Sequence, residues 1–265
     1  MIRVLLVLAV GYAAIIAMLA GFQTRLLFPA WMVPGDGALP AGAEELSVTA
    51  ADGVTLRGAY LPGADPDAPL LLGFGGNAWS AGAVAQTLRG VFPEHPVAAL
   101  DYRGYGRSGG RPSAAALMGD AEAIHDALED RARGGIVPVG ISVGSGPAAR
   151  IVAARDPVGA VLVTPFDSLE AVARDVYPWA PVRLLFRHEM PVAEMLAGTR
   201  TPLALILAGE DEIIPAARSH ALHEALPEGV ALTVIEGAGH NDLAGDPRFA
   251  ESLRAALAHV TGTRN

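Results

Sequence analysis

The stretch that most constrains this chain is Gly140-Ile141-Ser142-Val143-Gly144. It follows an apolar run, Ile136-Val137-Pro138-Val139, that reads as a buried strand. It precedes Ser145-Gly146-Pro147-Ala148-Ala149-Arg150, small residues able to start a helix. Strand, G-x-S-x-G and helix in that order predict a nucleophile elbow, a turn so tight that the serine backbone is strained and glycines must flank it. Such a turn lifts the Ser142 hydroxyl clear of a sheet, with the N–H groups of the next turn aimed toward it. A Gly-rich turn with an incidental serine fits the five residues equally well, so the rest of the chain has to decide.

Around this stretch, strands and helices alternate. Glu45 to Thr49 and Val54 to Leu61 flank Ala51-Asp52-Gly53 and predict an antiparallel hairpin. Residues 62–69 form a Pro/Asp/Gly loop. Apolar runs at Pro69–Phe74, Val97–Asp101, Ile136–Ile141, Val158–Thr164, Pro202–Ala208 and Val230–Ile235 predict further strands, giving an eight-stranded sheet. Helices are expected at Trp79–Arg89, from an N-cap at Ser113 to Arg131, at Val143–Arg155, at Ala216–Leu226 and from Asp246-Pro247 onward. Continuous apolar strands alternating with helices imply an α/β architecture, its mostly parallel sheet covered on both faces. The segment 165–201 breaks the alternation with Tyr177, Trp179, Phe186 and several prolines. It reads either as a lid insertion above the carboxyl edge of the sheet or as a packing helix with a long connection.

Val4 to Phe22 carries no charge, which is the length of a membrane-spanning helix, and Arg3 and Arg25 flank it. A cleaved leader is the competing reading. Cutting after Ala20 or Gly21 leaves Met18 or Leu19 three residues before the cut, where a small residue belongs, so an uncleaved anchor over 1–25 is favoured. Residues 26–43 read as a linker and 44–265 as the folded domain. All 19 basic residues are arginine, which with the Ala, Gly and Pro content suggests a GC-rich bacterial coding bias. The expected location is a bacterial inner membrane with the domain outside. A formal charge of −9 argues against nucleic-acid binding, and the absence of cysteine excludes disulfides, a thiol nucleophile and thiolate metal sites.

A serine nucleophile needs a base, and the base needs an acid; in this type of sheet they follow in the order Ser, acid, His. Of 7 histidines, His240 follows the strand ending near Ile235, in a loop freed by Gly237 and Gly239, and is the expected base. His95 precedes a strand, at the wrong end. His125, His220, His223 and His259 fall in helices, where a solvated face is expected, and His188 lies in the lid segment, where it would line a pocket. The acid belongs after Leu203–Ala208, where Glu210, Asp211 and Glu212 compete; three consecutive acids do not choose among themselves. Oxyanion donors are expected at Val143 and in the loop Gly73-Phe74-Gly75-Gly76-Asn77-Ala78-Trp79. That loop matches neither a dinucleotide nor a phosphate-loop spacing. Asp101-Tyr102-Arg103-Gly104-Tyr105-Gly106-Arg107-Ser108 reads as a structural loop rather than a phosphate site.

These residues, together with Phe22-Gln23-Thr24-Arg25-Leu26-Leu27-Phe28-Pro29 and Pro165-Phe166-Asp167-Ser168-Leu169, resemble the α/β-hydrolase superfamily. Within it they resemble small membrane-anchored serine hydrolases of the serine-aminopeptidase-like and depalmitoylase-like groups. The resemblance implies the α/β-hydrolase fold, a triad of Ser142, Asp211 and His240, and oxyanion donors at Val143 and Asn77. Relatives usually carry histidine where this chain has Gly75, which brings in Gly76 as an alternative donor. Cleavage of an ester or thioester through an acyl-enzyme is the implied activity, with no cofactor or metal. A small-molecule or lipid-like acyl substrate would lie against Tyr177, Trp179 and Phe186. An acyltransferase or peptidase using the same triad, and a membrane-tethered binding module with a silent triad, are the alternatives.

Overall fold

The computed structural model describes residues 1–35, 37 and 39–262; positions 36 and 38 of the expected linker and 263–265 of the expected domain lie outside them. The chain opens with a long helix, α1 (Ile2–Leu27), followed by β1 (Glu44–Thr49) and β2 (Thr55–Leu61). Then come β3 (Leu70–Phe74), α2 (Ala81–Val91), β4 (Val97–Leu100), α3 (Ala114–Leu128), β5 (Ile136–Ile141) and α4 (Ser145–Ala154). β6 (Ala160–Val163) leads into three short helices, α5 (Leu169–Val176), α6 (Val182–Leu185) and α7 (Val192–Leu196). β7 (Leu203–Ala208), α8 (Ala216–Ala225), β8 (Ala231–Ile235) and α9 (Pro247–Gly262) complete the chain.

The sheet has 8 strands in the order β1-β2-β4-β3-β5-β6-β7-β8. Pairs β1/β2 and β2/β4 are antiparallel and every other pair is parallel, so β2 alone runs against the rest. The sequence pattern explains the split. β1 sits at an edge and buries only Leu46 and Val48, on alternate positions. β3, β4, β6 and β7 are buried along their whole length, as strands covered on both faces must be.

Alternation along the strands sorts the core into two layers. Leu70, Leu72, Ala98 and Leu162 pack with Leu117 and Ile124 of α3 and with Ile151 of α4. Leu71, Val97, Val139 and Val161 pack with Val84 and Leu88 of α2 and with Leu253 and Leu257 of α9. Burying each of these large side chains stabilises the fold by roughly 1.5–3 kcal/mol relative to exposure. Ser80, Ser113 and Ser168 cap α2, α3 and α5, each accepting the N–H three residues on, at 3.2, 3.2 and 3.0 Å. Each cap is worth about 1 kcal/mol. His125 departs from expectation: it is 5% exposed on the inner side of α3 rather than on a solvated face.

Candidate active site

Every side chain of the site comes from the carboxyl end of a parallel strand, the edge where loops converge in such sheets. Ser142 follows β5 directly and has φ of 53°, the left-handed region that non-glycine residues avoid. The flanking glycines are dictated by contact. A Cβ at 140 would lie 2.8 Å from the Ala148 Cβ and 2.8 Å from the Gly144 carbonyl carbon, and one at 144 would meet the Phe74 carbonyl carbon at 2.7 Å. Gly144 is therefore where the elbow and the end of β3 touch.

His240 stands in the loop after β8, which turns through Gly237 at φ 74°. Its Nε2 lies 3.0 Å from Ser142 Oγ. On the other side of the ring, Nδ1 lies 2.8 Å from Asp211 Oδ2 and 3.0 Å from Oδ1. The Asp211 side chain is 4% exposed, and its Oδ1 also accepts the backbone N–H groups of Ile213 at 2.9 Å and Ile214 at 2.7 Å. Glu212 points elsewhere: it accepts the His240 backbone N–H at 2.9 Å, a bond that holds its carboxyl below the usual glutamate range. Thus two of the three competing acids serve the histidine, one through the ring and one through the backbone. Glu210 meets it through neither.

Ser142, Val143, Gly76, Asn77 and His240 line one cavity of about 480 Å³, within the range of small-molecule sites. Val163, Phe166, Leu169, Val172, Leu243 and Phe249 make much of its wall apolar. A Cβ on Gly76 would lie 3.8 Å from Ser142 Cβ, so that loop passes beside the hydroxyl. Gly75 has no room for any side chain, since a Cβ there would come within 2.7 Å of Val84 Cγ2 and 2.9 Å of Trp79 Cβ. The space beside the loop is filled from α2 and from Trp79.

The braces of this loop come from the structural Asp101–Ser108 segment. Tyr102 donates its hydroxyl to Gly75 O at 2.7 Å, and Tyr105 donates to Asn77 Oδ1 at 3.2 Å. Burial pushes both phenols well above the usual tyrosine range, so they stay protonated donors. Sequence reasoning placed the segment but missed these contacts; its two tyrosines, beside the glycines, were the available signal. Asp101 accepts the Ala81 N–H at the start of α2 at 2.7 Å. Arg103 is held by Asp120 and Asp52, with Nε to Asp120 Oδ2 and Nη1 to Asp52 Oδ2 both at 2.7 Å, which leaves it no role toward a phosphate.

Of the expected substrate contacts, Tyr177 lines the Ser142 cavity, whereas Phe186 lines a second cavity and Trp179 lines neither. Trp179 packs on α1, its ring centroid 6.3 Å from that of Tyr12. His188 was expected at a pocket wall. It is buried instead against α1, sharing a 2.7 Å hydrogen bond with Thr24 Oγ1. Among the described residues one cluster has metal-ligand spacing, His125, Asp126 and Glu129, and its Asp126 is already paired with Arg155 at 2.6 Å.

No family model matches the chain. An uncharacterized protein of Mycobacterium tuberculosis is 35% identical over 251 residues, covering 90% of this chain and 88% of that protein. Alpha/beta hydrolase domain-containing protein 17C of Xenopus tropicalis is 31% identical over 164 residues, 60% of this chain and 51% of that protein. The human protein of the same name is 30% identical over 164 residues, so the match spans about half of these longer relatives. Among solved structures, an esterase of Pyrococcus furiosus superposes with a TM-score of 0.67 at 18% identity, over 83% of this chain and 91% of that one. An alpha-beta hydrolase from Vibrio vulnificus superposes with a TM-score of 0.63 at 21% identity, over 82% of each chain. The chain belongs to the α/β-hydrolase superfamily of enzymes.

Proposed function

We propose that this protein is a serine hydrolase that cleaves carboxylic esters or thioesters through an acyl-enzyme. The observation that carries this reading is the run of hydrogen bonds from Asp211 through His240 to Ser142, at 2.8 and 3.0 Å, ending on a strained elbow. His240 takes the Ser142 proton as Oγ bonds to the acyl carbon. The N–H groups of Val143 and of Gly76 or Asn77 hold the resulting oxyanion. Collapse breaks the bond to the alcohol or thiol, which leaves with the proton from His240. Water, deprotonated by the same imidazole, then releases the acid and restores Ser142. Asp211 fixes the ring with its N–H toward the carboxylate and steadies its charged form.

The apolar helix α1 is proposed as an uncleaved membrane anchor. It has 26 residues, about 39 Å at 1.5 Å per residue, and the apolar part is unburied in the fold. A leader peptide would pass the same test of length and hydropathy. What favours retention is that α1 completes the lid: Gln23 is 8% exposed, donates to Leu185 O at 3.0 Å and accepts the Arg187 N–H at 2.9 Å. Residues 165–201 are read as that lid, lying over the cavity.

Replacing Ser142 by Ala tests the enzymatic proposal. The variant should fold, lose turnover of p-nitrophenyl acyl esters by at least a thousandfold, and fail to take a fluorophosphonate label. Full labelling of Ser142→Ala would refute the assignment.

A further inference from the structure

Beside the Ser142 cavity lies a second one, of about 170 Å³, that the hydrolytic chemistry does not use. One wall is α1, through Ile16, Leu19 and Ala20, and the other is the lid, through Ala180, Val182 and Phe186. Leu27, Ala173 and Tyr177 line both cavities, so the two spaces lie side by side and share these three residues. Among the described residues, Gln23 is the one polar side chain lining the second cavity apart from the Tyr177 phenol, and its amide is already committed to the backbones of Ala20, Leu185 and Arg187.

The position of the lid along α1 decides what such a groove meets. Tyr12 donates its hydroxyl to Trp179 O at 2.9 Å, so the lid climbs the helix as far as residue 12. From Leu27 to Tyr12 is about 22 Å of helix, and the stretch free of the lid, Ile2 to Gly11, is about 15 Å, half of a hydrocarbon core. If α1 crosses a bilayer, the lid must sit beside it within one leaflet. The lid surface suits that: Val176, Trp179, Leu184 and Leu185 are exposed at 48, 49, 83 and 38%.

We infer that the groove between α1 and the lid receives the long unbranched acyl chain of the substrate, drawn sideways from the leaflet, and delivers its ester or thioester carbonyl to Ser142. This rests on the serine-hydrolase reading above. The anchor helix is then one wall of the substrate site as well as a tether. The lining of the groove suits a hydrocarbon chain and nothing charged, and Leu27, Ala173 and Tyr177, shared with the wider cavity around the hydroxyl, are where the chain would pass between the two.

The test uses the full chain in detergent micelles. Ala180→Trp fills the groove from the lid side without touching the Ser142 cavity. It should lower kcat/KM for p-nitrophenyl palmitate at least tenfold relative to that for p-nitrophenyl butyrate. Ala225→Trp, at the exposed end of α8, should leave that ratio as in the parent. An unchanged ratio in Ala180→Trp overturns the groove.

A second measurement covers the case in which the tryptophan variant does not fold. The chain has no cysteine, so Ala180→Cys carries a single thiol. Reaction of Ser142 with a hexadecyl fluorophosphonate should slow maleimide alkylation of that thiol at least tenfold, and an ethyl fluorophosphonate should not. Equal alkylation rates with Ser142 labelled overturn the groove alone; failure of both probes to label Ser142 overturns the hydrolase reading and the groove with it. On phosphatidylcholine vesicles, a palmitoyl glycerol ester and a palmitoyl thioester of a short peptide distinguish the carriers of such a chain. Turnover of either that falls in Ala180→Trp assigns the carrier, and turnover of both that does not fall counts against the proposal.

Discussion

Asp211→Asn gives the sharpest test of the relay, because the surroundings of the carboxylate dictate how an amide would sit there. Two backbone donors, Ile213 N–H at 2.9 Å and Ile214 N–H at 2.7 Å, converge on Oδ1. An asparagine must put its carbonyl oxygen at that corner, since an NH₂ group there would face two donors. The NH₂ then occupies the Oδ2 position, 2.8 Å from His240 Nδ1. The NH₂ group is then nearer to Nδ1 than the carbonyl oxygen, at 2.8 against 3.0 Å, and that oxygen already accepts two backbone N–H groups. Nδ1 therefore becomes the acceptor and the ring proton moves to Nε2, which faces the Ser142 hydroxyl at 3.0 Å. A protonated Nε2 cannot take the serine proton. Locking the wrong tautomer in a triad of this type lowers kcat by about 10⁴, roughly 5.5 kcal/mol of barrier. Stability should move by less than about 1 kcal/mol, because both backbone bonds survive. Glu212→Gln is the matched control: its amide oxygen still accepts the His240 N–H, and kcat should stay within about threefold. The assay is kcat and kcat/KM for p-nitrophenyl butyrate, with thermal unfolding alongside. A folded Asp211→Asn enzyme within tenfold of the parent, or a Glu212→Gln enzyme that falls as far, would refute the assignment of the acid.

The same reasoning extends to the supports of the site. Gly144→Ala sets a Cβ against the Phe74 carbonyl carbon at 2.7 Å and Gly75 O at 3.0 Å, all backbone, so the β3–α2 loop must move. The cost should be about 1–3 kcal/mol in stability, with kcat down about a hundredfold, and normal kcat would count against an oxyanion site there. Tyr102→Phe leaves the buried Gly75 carbonyl without its hydroxyl donor; unfolding should become easier by about 1–2 kcal/mol and kcat should fall while KM holds. His188 is buried, with Arg187 beside it, and both effects push its pKa below the ordinary value of 6.5. The unfolded chain therefore binds the proton more readily, so the stability contributed by neutral His188 is complete above pH 6.5 and is lost as pH falls below it. Melting curves between pH 7.5 and 5 should show a shallower loss in His188→Gln, which keeps a group to meet Thr24 and does not titrate; equal slopes would exclude this role.

Much of the fold could be read from local pattern because parallel strands advertise themselves. Leu203–Ala208 is six apolar residues with no alternation, and the structure buries all six. Boundaries slipped where a strand is shorter than its apolar run: Val158 and Gly159 continue the pattern of β6 but precede its first ladder pair at Ala160. Pairing to Leu203, at a distance in sequence, sets that limit. Ser142 and His240 were legible because one motif and one post-strand loop each isolate them. Asp211 was legible only through resemblance, since Glu210, Asp211 and Glu212 differ in where the turn points them. The α1–lid junction was illegible for a deeper reason. Gln23, Thr24, Arg187 and His188 are ordinary residues in both segments, and their meaning appears only when about 160 residues of chain bring the segments together.

Among the described residues two that are not glycine hold positive φ, Ser142 at 53° and Thr164 at 45°, and they follow the adjacent strands β5 and β6. Such conformations cost of order 1–3 kcal/mol each and persist only where the surroundings leave no alternative. For Ser142 the constraint is steric, since Gly140 and Gly144 let Ala148 and Phe74 close on the turn from both sides. For Thr164 it is the N–H bond to Ile206 O at 2.7 Å, which continues the β6–β7 ladder one residue past the strand. Both residues line the same cavity, and no described part of the sheet outside these two strand ends carries a comparable distortion. The proposed relay draws its other members from the ends of β7 and β8, and each is tied down by groups outside the relay. Ile213 and Ile214 fix Asp211, the Glu212 carboxylate fixes the backbone of His240, and Tyr102 fixes the loop at Gly75. Loss of one support should therefore displace one member and leave the others standing. That is why the variants above separate a fault in positioning from a fault in chemistry.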